Sequence, residues 1–412
     1  MGMSKTHIII GTSAAGIGVL NKLRTLDPEA RIICISDEKE FPYNKCLLAD
    51  YMSGVKPEQA VFTRQPDFFK NNRIELLLAM SVVGIDSDRQ TITLDDGQIL
   101  SYDTLFLGLG SGVSKPPITC TFASSAFVLN DPLITLHDKG IFIFHTLGNV
   151  NDIMQYIKTH NVRNVCILGA GLSGLECADA LSAHGLNITV VEKGPHVLMR
   201  QVDAQGAGLI EKYMHNKGIT LLKNASVTHI VGNESVKRIE LESGEKIATD
   251  LLIIATGLKP RSSLAAESGI ETNQGYVVTN DFLQTNVPTI WAGGDCIMVK
   301  DQLTGTLMPS CSWPDAMLQG SIAAHGMVGQ KKIYPGAAII SSTAFFGIQF
   351  ITCGLINENN GEFIIRTGQD FYHKLLIQDA YLKGYLLVGH VNEAPHLKKI
   401  LLTRQKINRD EM

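Results

Sequence analysis

The sequence lacks several patterns that would place it in a common enzyme class. No CxxC pair occurs, and the eight cysteines have no spacing typical of metal ligands, so we expect no bound metal. HExxH, GxSxG and P-loop patterns are absent as well, which removes support for a hydrolase or an NTPase. A basic leader followed by an apolar segment is also missing at the start. We therefore expect reduced thiols and a cytoplasmic location.

A strong excess of either charge is also missing. The chain has 36 Lys and Arg against 40 Asp and Glu, for a net charge of −4, so a nucleic-acid partner is not expected. Residues 337–356 carry no charge, yet Gly347, Gly354 and several hydroxyl side chains interrupt them. This composition predicts two short buried strands and no membrane helix. With 412 residues and 45% apolar side chains, two or three domains are expected.

An internal repeat is the strongest feature present. Residues 92–110 and 239–257 align without a gap, Ile92 with Ile239 and Gly110 with Gly257, at a constant offset of 147 residues. Each segment predicts a hairpin with a glycine in its turn, followed by a buried strand that closes on glycine. Each also follows its own strand, glycine-rich turn and helix. The repeat therefore predicts two Rossmann-like dinucleotide-binding units in an α/β fold.

Copy one opens with a predicted strand over 6–10, a glycine-rich turn over 11–16 and a helix through Leu26. A second strand, 31–36, ends at two acids that could accept ribose hydroxyls, while the turn and helix would receive the pyrophosphate. Serine stands where the middle glycine of the motif is usual. The candidate cofactor-binding residues of this copy are Gly11, Ser13, Ala14, Ala15, Gly16, Asp37, Glu38 and Gly110.

Copy two has the complete GxGxxG pattern. A strand over 164–168 precedes it, a helix through His184 follows, and a strand over 188–191 ends at an acid. A carboxylate at Glu192 would repel a 2′-phosphate, which favours NADH, although Lys193 and His196 leave NADPH possible as the less favoured cofactor. The candidate cofactor-binding residues of this copy are Gly169, Gly171, Leu172, Ser173, Gly174, Glu192 and Gly257.

With these motifs the chain resembles the two-dinucleotide-binding-domain flavoproteins, also called pyridine nucleotide–disulfide oxidoreductases. Residues 289–296, TIWAGGDC, are similar to the second FAD motif of that family, with Gly294 and Asp295 as its candidate ligands. Residues 254–257 resemble the strand that closes a Rossmann copy, and residues 41–48 resemble the segment that faces the isoalloxazine ring. The resemblance implies FAD in copy one and NADH in copy two.

The resemblance also implies a domain order in which the NAD domain is inserted into the FAD domain. A small α+β C-terminal domain resembles that of rubredoxin- and nitrite-reductase-type members and suggests a homodimer. Two of its strands are predicted at 374–378 and 381–388. The implied domains are residues 1–113 for the first FAD segment, 114–249 for NAD(H), 250–330 for the second FAD segment and 331–412 for the C-terminal interface domain.

Three residues are candidates for the chemistry. By the resemblance, Lys45 would lie near flavin N5 and stabilise the anionic reduced flavin, and Glu176 would fix the lysine; the alternative is that both are ordinary surface charges. Cys46 occupies the position of the single redox cysteine of coenzyme A-disulfide reductases and NADH oxidases. A small residue filling an apolar slot would explain Cys46 equally well. The absence of a CxxxxC pair argues against the glutathione- and lipoamide-reductase types.

These features predict an FAD-dependent NAD(P)H oxidoreductase. It would pass a hydride from NADH to FAD, and then electrons to a small redox protein or a low-molecular-weight acceptor. The first alternative is a disulfide or polysulfide reductase, or an NADH oxidase, that depends on Cys46. The second is a non-enzymatic, flavin-bearing redox sensor or subunit.

Overall fold

The computed structural model describes residues 4–131, 136–309, 312–338, 340–356 and 361–407. The chain forms two compact units. Unit 1 comprises residues 1–47, 57–112 and 258–337, and unit 2 comprises residues 48–56, 113–257 and 338–412. Each unit is therefore assembled from three separate chain segments.

The helices, in chain order, are α1 (Ala14–Leu26), α2 (Leu48–Met52), α3 (Pro66–Asn71), α4 (Leu147–Thr159), α5 (Leu172–Ser182), α6 (Ala204–Asn216), α7 (Ser263–Glu267), α8 (Trp313–Met327) and α9 (Ala394–Thr403). The strands are β1 (Thr6–Ile10), β2 (Arg31–Ile35), β3 (Ile74–Leu77), β4 (Val82–Asp86), β5 (Thr91–Leu94), β6 (Ile99–Ser101), β7 (Thr104–Leu107), β8 (Ser111–Val113), β9 (Thr119–Phe122), β10 (Ser125–Val128), β11 (Ile141–Ile143), β12 (Asn164–Leu168), β13 (Asn187–Val191), β14 (Thr220–Leu222), β15 (Val227–Gly232), β16 (Val236–Leu241), β17 (Lys246–Ala248), β18 (Leu251–Ile254), β19 (Leu258–Pro260), β20 (Thr272–Asn273), β21 (Tyr276–Val277), β22 (Ile290–Ala292), β23 (Met298–Lys300), β24 (Leu307–Pro309), β25 (Ile340–Phe345), β26 (Ile348–Gly354), β27 (Glu362–Thr367), β28 (Tyr372–Gln378) and β29 (Tyr381–Val388).

Both units contain a five-stranded parallel sheet with the same plan. Unit 1 has the order β22-β7-β1-β2-β3, and unit 2 has the order β11-β18-β12-β13-β14. The first strand of each copy lies at the centre, between the second strand and the closing strand. These strands are mostly apolar because a parallel sheet is covered on both faces. The predicted pair of Rossmann-like copies is thus present, with bounds that differ from the predicted ones by at most two residues.

The predicted repeat is visible in the hairpins as well. Strands β5 and β6 are joined through Gly97 with φ +87°, and β16 and β17 through Gly244 with φ +88°. Glycine adopts this left-handed conformation without steric cost. The same turn is therefore built at equivalent places in both copies.

The predicted domain boundary at residue 250 and the division of the structure into units differ by one strand. The second FAD segment was expected to begin at residue 250, but β18 pairs in parallel with β12 and β11 in unit 2. A closing strand must complete the sheet of its own copy, so the chain returns to unit 1 only at Leu258. Residues 48–56, expected within the first FAD segment, also belong to unit 2.

The C-terminal segment forms an antiparallel sheet in the order β25-β26-β29-β28-β27, with α9 against β29. The predicted hairpin is present as β28 and β29, and its turn residues Asp379 and Ala380 have φ of 54° and 65°. The uncharged stretch at 337–356 contains two strands, β25 and β26, as expected; residue 339 lies outside the described residues. No helix in the described part of the chain is long and apolar enough to cross a membrane.

In unit 1, helices α1 and α8 approach each other closely through small residues. A Cβ atom at Gly18 would lie 2.3 Å from the carbonyl oxygen of Met317, and one at Gly320 would lie 2.0 Å from that of Ala15. Only glycine fits at such distances. The pair of glycines therefore sets the distance between α1 and α8.

Candidate functional site

The glycine-rich turn of unit 1 is shaped by two glycines that nothing larger can replace. Gly11 has φ +102°, and a Cβ there would lie 2.2 Å from the carbonyl oxygen of Gly108. A Cβ at Gly16 would lie 1.9 Å from the carbonyl oxygen of Gly11. The turn therefore holds β1, α1 and the end of β7 in close contact, as the sequence predicted.

Ser13 precedes α1, and its side chain makes no cap hydrogen bond. The first turn, which begins at Ala14 and Ala15, contains no acidic residue. The helix thus presents uncapped N–H groups and the positive end of its dipole, which is the arrangement that binds phosphate groups.

The corresponding turn of unit 2 has the same geometry with one difference. Gly169 has φ +103°, and a Cβ at Gly174 would lie 2.0 Å from the Gly169 carbonyl oxygen. A Cβ at Gly171, in contrast, would have no atom within 4 Å. Protein packing does not require glycine at this position. The open space in front of Gly171, just before Leu172 and Ser173 begin α5, fits a ligand that approaches the backbone closely.

Comparing the two turns explains the serine of copy one. Ser13 has φ −79° and ψ −164°, and Gly171 has φ −79° and ψ −175°. Both are extended conformations that any residue adopts. Serine at the middle position therefore leaves the backbone of the motif unchanged.

Glu192 lies at the glycine-rich turn of unit 2. Its carboxylate accepts hydrogen bonds from the backbone N–H of Ala170 at 2.8 Å and from that of Gly194 at 2.7 Å. Lys193 is exposed, whereas the ring of His196 lies 2.8 Å from the carbonyl oxygen of Val197. The structure thus brings the predicted acid and the predicted phosphate-binding turn together.

The two acids at the end of β2 have different environments. Arg261 donates a hydrogen bond to Asp37 at 2.9 Å, and both side chains are about half exposed. Glu38 accepts a hydrogen bond from the Tyr43 hydroxyl at 2.5 Å, and its other oxygen lies 3.3 Å from the ammonium group of Lys45. Sequence reasoning missed Arg261 and Tyr43 because both act through side-chain contacts that no local motif encodes.

Asp295 is held at the edge of the same site. Ser111 donates a hydrogen bond to its carboxylate at 2.9 Å. Burial raises the pKa of Asp295, while the Ser111 hydrogen bond and the charge of Lys45 oppose that rise. Within unit 1, the structure therefore brings Asp295 near Lys45, and Lys45 near Glu38, as parts of one polar region.

A buried hydrogen-bond network holds the loop that carries Asp295. Gly294, with φ +83°, donates its backbone N–H to the side-chain oxygen of Gln319 at 2.7 Å. Gln319 is fully buried and donates to Asp315 at 2.6 Å, and the Tyr334 hydroxyl donates to Asp315 at 2.7 Å. A Cβ at Gly294 would lie 3.3 Å from that of Ala15, so this loop packs against the start of α1.

Cys46 lies in the 3-10 turn formed by residues 45–47. Among the cysteines in the described residues, it is the exposed one. Burial raises the pKa of the Cys34 and Cys120 thiols to about 12 and that of Cys296 to about 11, which keeps them protonated. Cys311 lies outside the described residues. Among the seven described cysteines, exposure therefore singles out Cys46 as the thiol that can react with a molecule in solution.

Glu176 lies on α5 in unit 2, and the Thr343 hydroxyl donates a hydrogen bond to its carboxylate at 3.1 Å. Burial raises the pKa of Glu176 to about 6; the Thr343 hydrogen bond opposes this and the charge of Asp50 adds to it. Lys45 and Glu176 belong to different units, and each has a partner within its own unit. Their predicted pairing stays a prediction.

Comparison with known proteins shows which family and which relatives the chain is similar to. Residues 5–320 match the family model described as pyridine nucleotide-disulphide oxidoreductase. An NADH oxidase of Methanocaldococcus jannaschii is 30% identical over 335 residues, which cover 80% of this chain and 71% of that protein. A rubredoxin-NAD(+) reductase of Pseudomonas putida is 29% identical over 330 residues, covering 80% of this chain and 81% of the relative.

A longer relative and a solved structure extend the comparison. Nitrite reductase [NAD(P)H] of Bacillus subtilis is 26% identical over 95% of this chain, which spans 46% of that protein, or about half its length. The ferredoxin reductase for the CYP199A2 system from Rhodopseudomonas palustris is 25% identical, with a TM-score of 0.85 over 99% of this chain and 97% of that one.

The comparisons confirm the predicted fold class and the predicted enzyme class, an oxidoreductase that uses FAD and NAD(P)H. They agree with what the two units show independently: duplicated parallel sheets, each with a tight glycine turn at the start of a helix. The chain belongs to the pyridine nucleotide-disulphide oxidoreductase family.

Proposed function

We propose that this oxidoreductase binds FAD in unit 1 and NADH in unit 2, and that it delivers electrons to a small redox protein or a low-molecular-weight acceptor. The observation that supports the choice of nucleotide is the position of the Glu192 carboxylate beside the Ala170 N–H. A ribose with free hydroxyls can donate hydrogen bonds to a carboxylate there, whereas a 2′-phosphate would be repelled. NADPH is the less favoured cofactor on this argument.

The residues of unit 1 fit FAD. The turn from Gly11 to Gly16 and the uncapped start of α1 would hold the pyrophosphate. Asp37, whose side chain is about half exposed, would accept the ribose hydroxyls, and Glu38 would hold Lys45. Asp295 would accept hydrogen bonds from the ribityl side of the cofactor. When bound, the flavin supplies the capacity to accept a hydride from a nicotinamide and to release the electrons singly or in pairs.

Lys45 would stabilise negative charge at the flavin. Its ammonium group lies 3.3 Å from the Glu38 carboxylate, and its positive charge lowers the pKa of Asp295. A lysine with one carboxylate partner retains a donor for a further acceptor, because an ammonium group has three N–H bonds. Glu176, on the helix that begins at the GxGxxG turn, would fix this lysine and so support hydride transfer, as the resemblance implies.

The names of two relatives fit the two kinds of acceptor. One is a rubredoxin-NAD(+) reductase and the other an NADH oxidase. The exposure of Cys46 favours a second candidate function, in which its thiolate attacks a disulfide or a polysulfide, or passes through a sulfenic acid during oxygen reduction. When electrons pass from the flavin directly to a small redox protein, Cys46 has no chemical role.

An anaerobic titration of the FAD-loaded protein separates these possibilities. We expect NADH to bleach the flavin spectrum at lower concentration than NADPH. Bleaching by neither nucleotide would contradict hydride transfer. The Cys46→Ser variant, compared with the buried-cysteine control Cys34→Ser, should retain turnover with a one-electron acceptor such as ferricyanide. Loss of disulfide reduction in Cys46→Ser alone would establish the thiol function instead.

A further inference from the structure

The tip of the β25–β26 hairpin is attached to helix α5 by two side chains of that helix. The Thr343 hydroxyl donates to the Glu176 carboxylate at 3.1 Å. The backbone of Phe346 hydrogen-bonds to the Asp179 carboxylate, which counteracts the effect of burial on its pKa. Glu176 and Asp179 are three residues apart and thus share one helix face. The hairpin meets this face with two residues that are also three positions apart.

The turn of the hairpin is fixed by its backbone. Phe346 and Gly347 have φ of 57° and 88°, the pair of left-handed residues that a tight two-residue hairpin requires. Phe345 and Phe350 are buried, with ring centroids 5.6 Å apart, so the strands on either side of the turn are packed. Thr343 therefore projects from a rigid element.

We propose that Thr343 is a positioning residue for Glu176: its hydroxyl holds the carboxylate in one orientation and stabilises its charge, so that the C-terminal domain controls an acid of the nucleotide-binding helix. This inference rests on the proposed role of Glu176 in hydride transfer. A hydroxyl donor favours the ionised carboxylate, because a protonated carboxyl is a weaker acceptor.

The other groups around Glu176 either destabilise its charged form or carry no charge. From α2, the Asp50 carboxylate raises the pKa of Glu176. On α5 itself the ionisable neighbours are Asp179 and Cys177, and burial raises the pKa of that thiol. Strands β12, β13 and β25 pack on α5 and contribute only Cys166, whose pKa burial also raises. Among the described groups of this unit, Thr343 is therefore the one that stabilises the charged form of Glu176.

The test measures the ionisation of Glu176 without using activity. The thermal midpoint of the FAD-loaded protein is recorded between about pH 5 and pH 8 with Glu176 and with Glu176→Gln, and the difference is plotted against pH. Since the folded pKa is about 6 against 4.5 for an unperturbed glutamate, ionised Glu176 costs stability. The difference is therefore constant at low pH, grows as the pH rises from about 4.5 to about 6, and levels off above that range.

The difference in thermal midpoint between Glu176 and Glu176→Gln is then measured against pH in three backgrounds: Thr343→Val, Thr343→Ser and Thr352→Val. Loss of the hydroxyl in Thr343→Val should raise the folded pKa by about one unit, which enlarges the difference at high pH and moves the midpoint of the plot upward by about half a pH unit. Thr343→Ser should restore it. Thr352→Val, an equivalent change on β26, should leave the midpoint in place. An unchanged midpoint in Thr343→Val would overturn the inference.

A second readout separates this inference from the proposed function. The rate of flavin reduction by NADH is measured over the same pH range in the parent and in Thr343→Val. A matching shift of the two midpoints supports both proposals. A shift in stability with an unchanged rate profile would support the positioning of Glu176 by Thr343 and overturn the role of Glu176 in hydride transfer.

Discussion

The Glu192 carboxylate accepts a hydrogen bond from the backbone N–H of Ala170 at 2.8 Å, although 22 residues separate them in the chain. The contact joins the end of β13 to the glycine-rich turn and fixes a negative charge where a nucleotide ribose would lie. Glu192→Gln keeps an acceptor for this N–H and removes the charge. We expect the ratio of NADPH to NADH affinity to rise about tenfold, equivalent to about 1.4 kcal/mol.

Nucleotide affinity for this variant can be measured by anaerobic flavin bleaching with each cofactor. Glu242→Gln is a suitable control, because it removes one exposed acid elsewhere in unit 2. If the cofactor preference of Glu192→Gln equals that of the control, Glu192 does not determine specificity.

The glycines of the unit 2 turn should respond differently to alanine. At Gly171 a Cβ atom meets no protein atom within 4 Å, so Gly171→Ala should leave the thermal midpoint unchanged and weaken NADH binding about tenfold. At Gly174 the Cβ would lie 2.0 Å from the Gly169 carbonyl oxygen, and we expect a loss of stability of about 1 to 3 kcal/mol. Calorimetry and nucleotide titration distinguish the two effects. Equal destabilisation by both substitutions would contradict the assignment of an open ligand position at Gly171.

The Gln319 network should control retention of the flavin. Gln319→Leu would leave the Gly294 N–H and the Asp315 carboxylate without this buried partner, at a cost of about 1 to 3 kcal/mol for each group. Because Gly294 adjoins Asp295, we expect part of the FAD to be lost during gel filtration. The exposed neighbour provides the control variant, Leu318→Ala. Full FAD retention by Gln319→Leu would show that the loop holds its shape without the network.

The buried His7 should make unit 1 sensitive to acid. Its ring lies 2.6 Å from the Thr104 hydroxyl and 3.2 Å from the Asp27 carboxylate. Burial lowers the pKa of His7 and outweighs the opposing effect of Asp27. The folded state therefore favours the neutral ring, so the stability that it contributes is present above the unfolded pKa of about 6.5 and is lost as the pH falls below it.

His7→Gln keeps a donor and an acceptor at this position and cannot be protonated. We expect its thermal midpoint to fall less than that of the parent when the pH is lowered from about 7 to about 5. The exposed His215 provides the control His215→Gln, whose acid sensitivity should match that of the parent. An acid response of His7→Gln equal to that of the control would contradict the assignment.

The parts of the fold that the sequence predicted are those determined by neighbouring residues. The strand over Thr6–Ile10 and the position of the turn at Asp379 follow from the local apolar pattern, and the turn that begins at Gly11 follows from glycine placement. The contact of Glu192 with the glycine-rich turn could also be anticipated, because a β–α–β unit places both at the same edge of a sheet.

The contacts that the sequence did not predict join residues far apart in the chain. Arg261 reaches Asp37 across 224 positions, and Thr343 reaches Glu176 across 167. No motif marks either partner, since each depends on how separate elements pack. The predicted boundary at residue 250 differs from the unit boundary at Leu258 for a related reason: composition does not change where the chain leaves one sheet for the other.

The position of β22 has a consequence for synthesis on the ribosome. Strand β7 ends at Leu107, but its neighbour in the sheet begins only at Ile290. The parallel sheet of unit 2 is complete once Ile254 has emerged. A nascent chain of that length can therefore close the nucleotide sheet while the first sheet still exposes the edge of β7, a surface open to pairing with other chains. The order of translation thus makes the parallel sheet that begins first the one that is completed later, and leaves the edge of β7 unpaired in the interval.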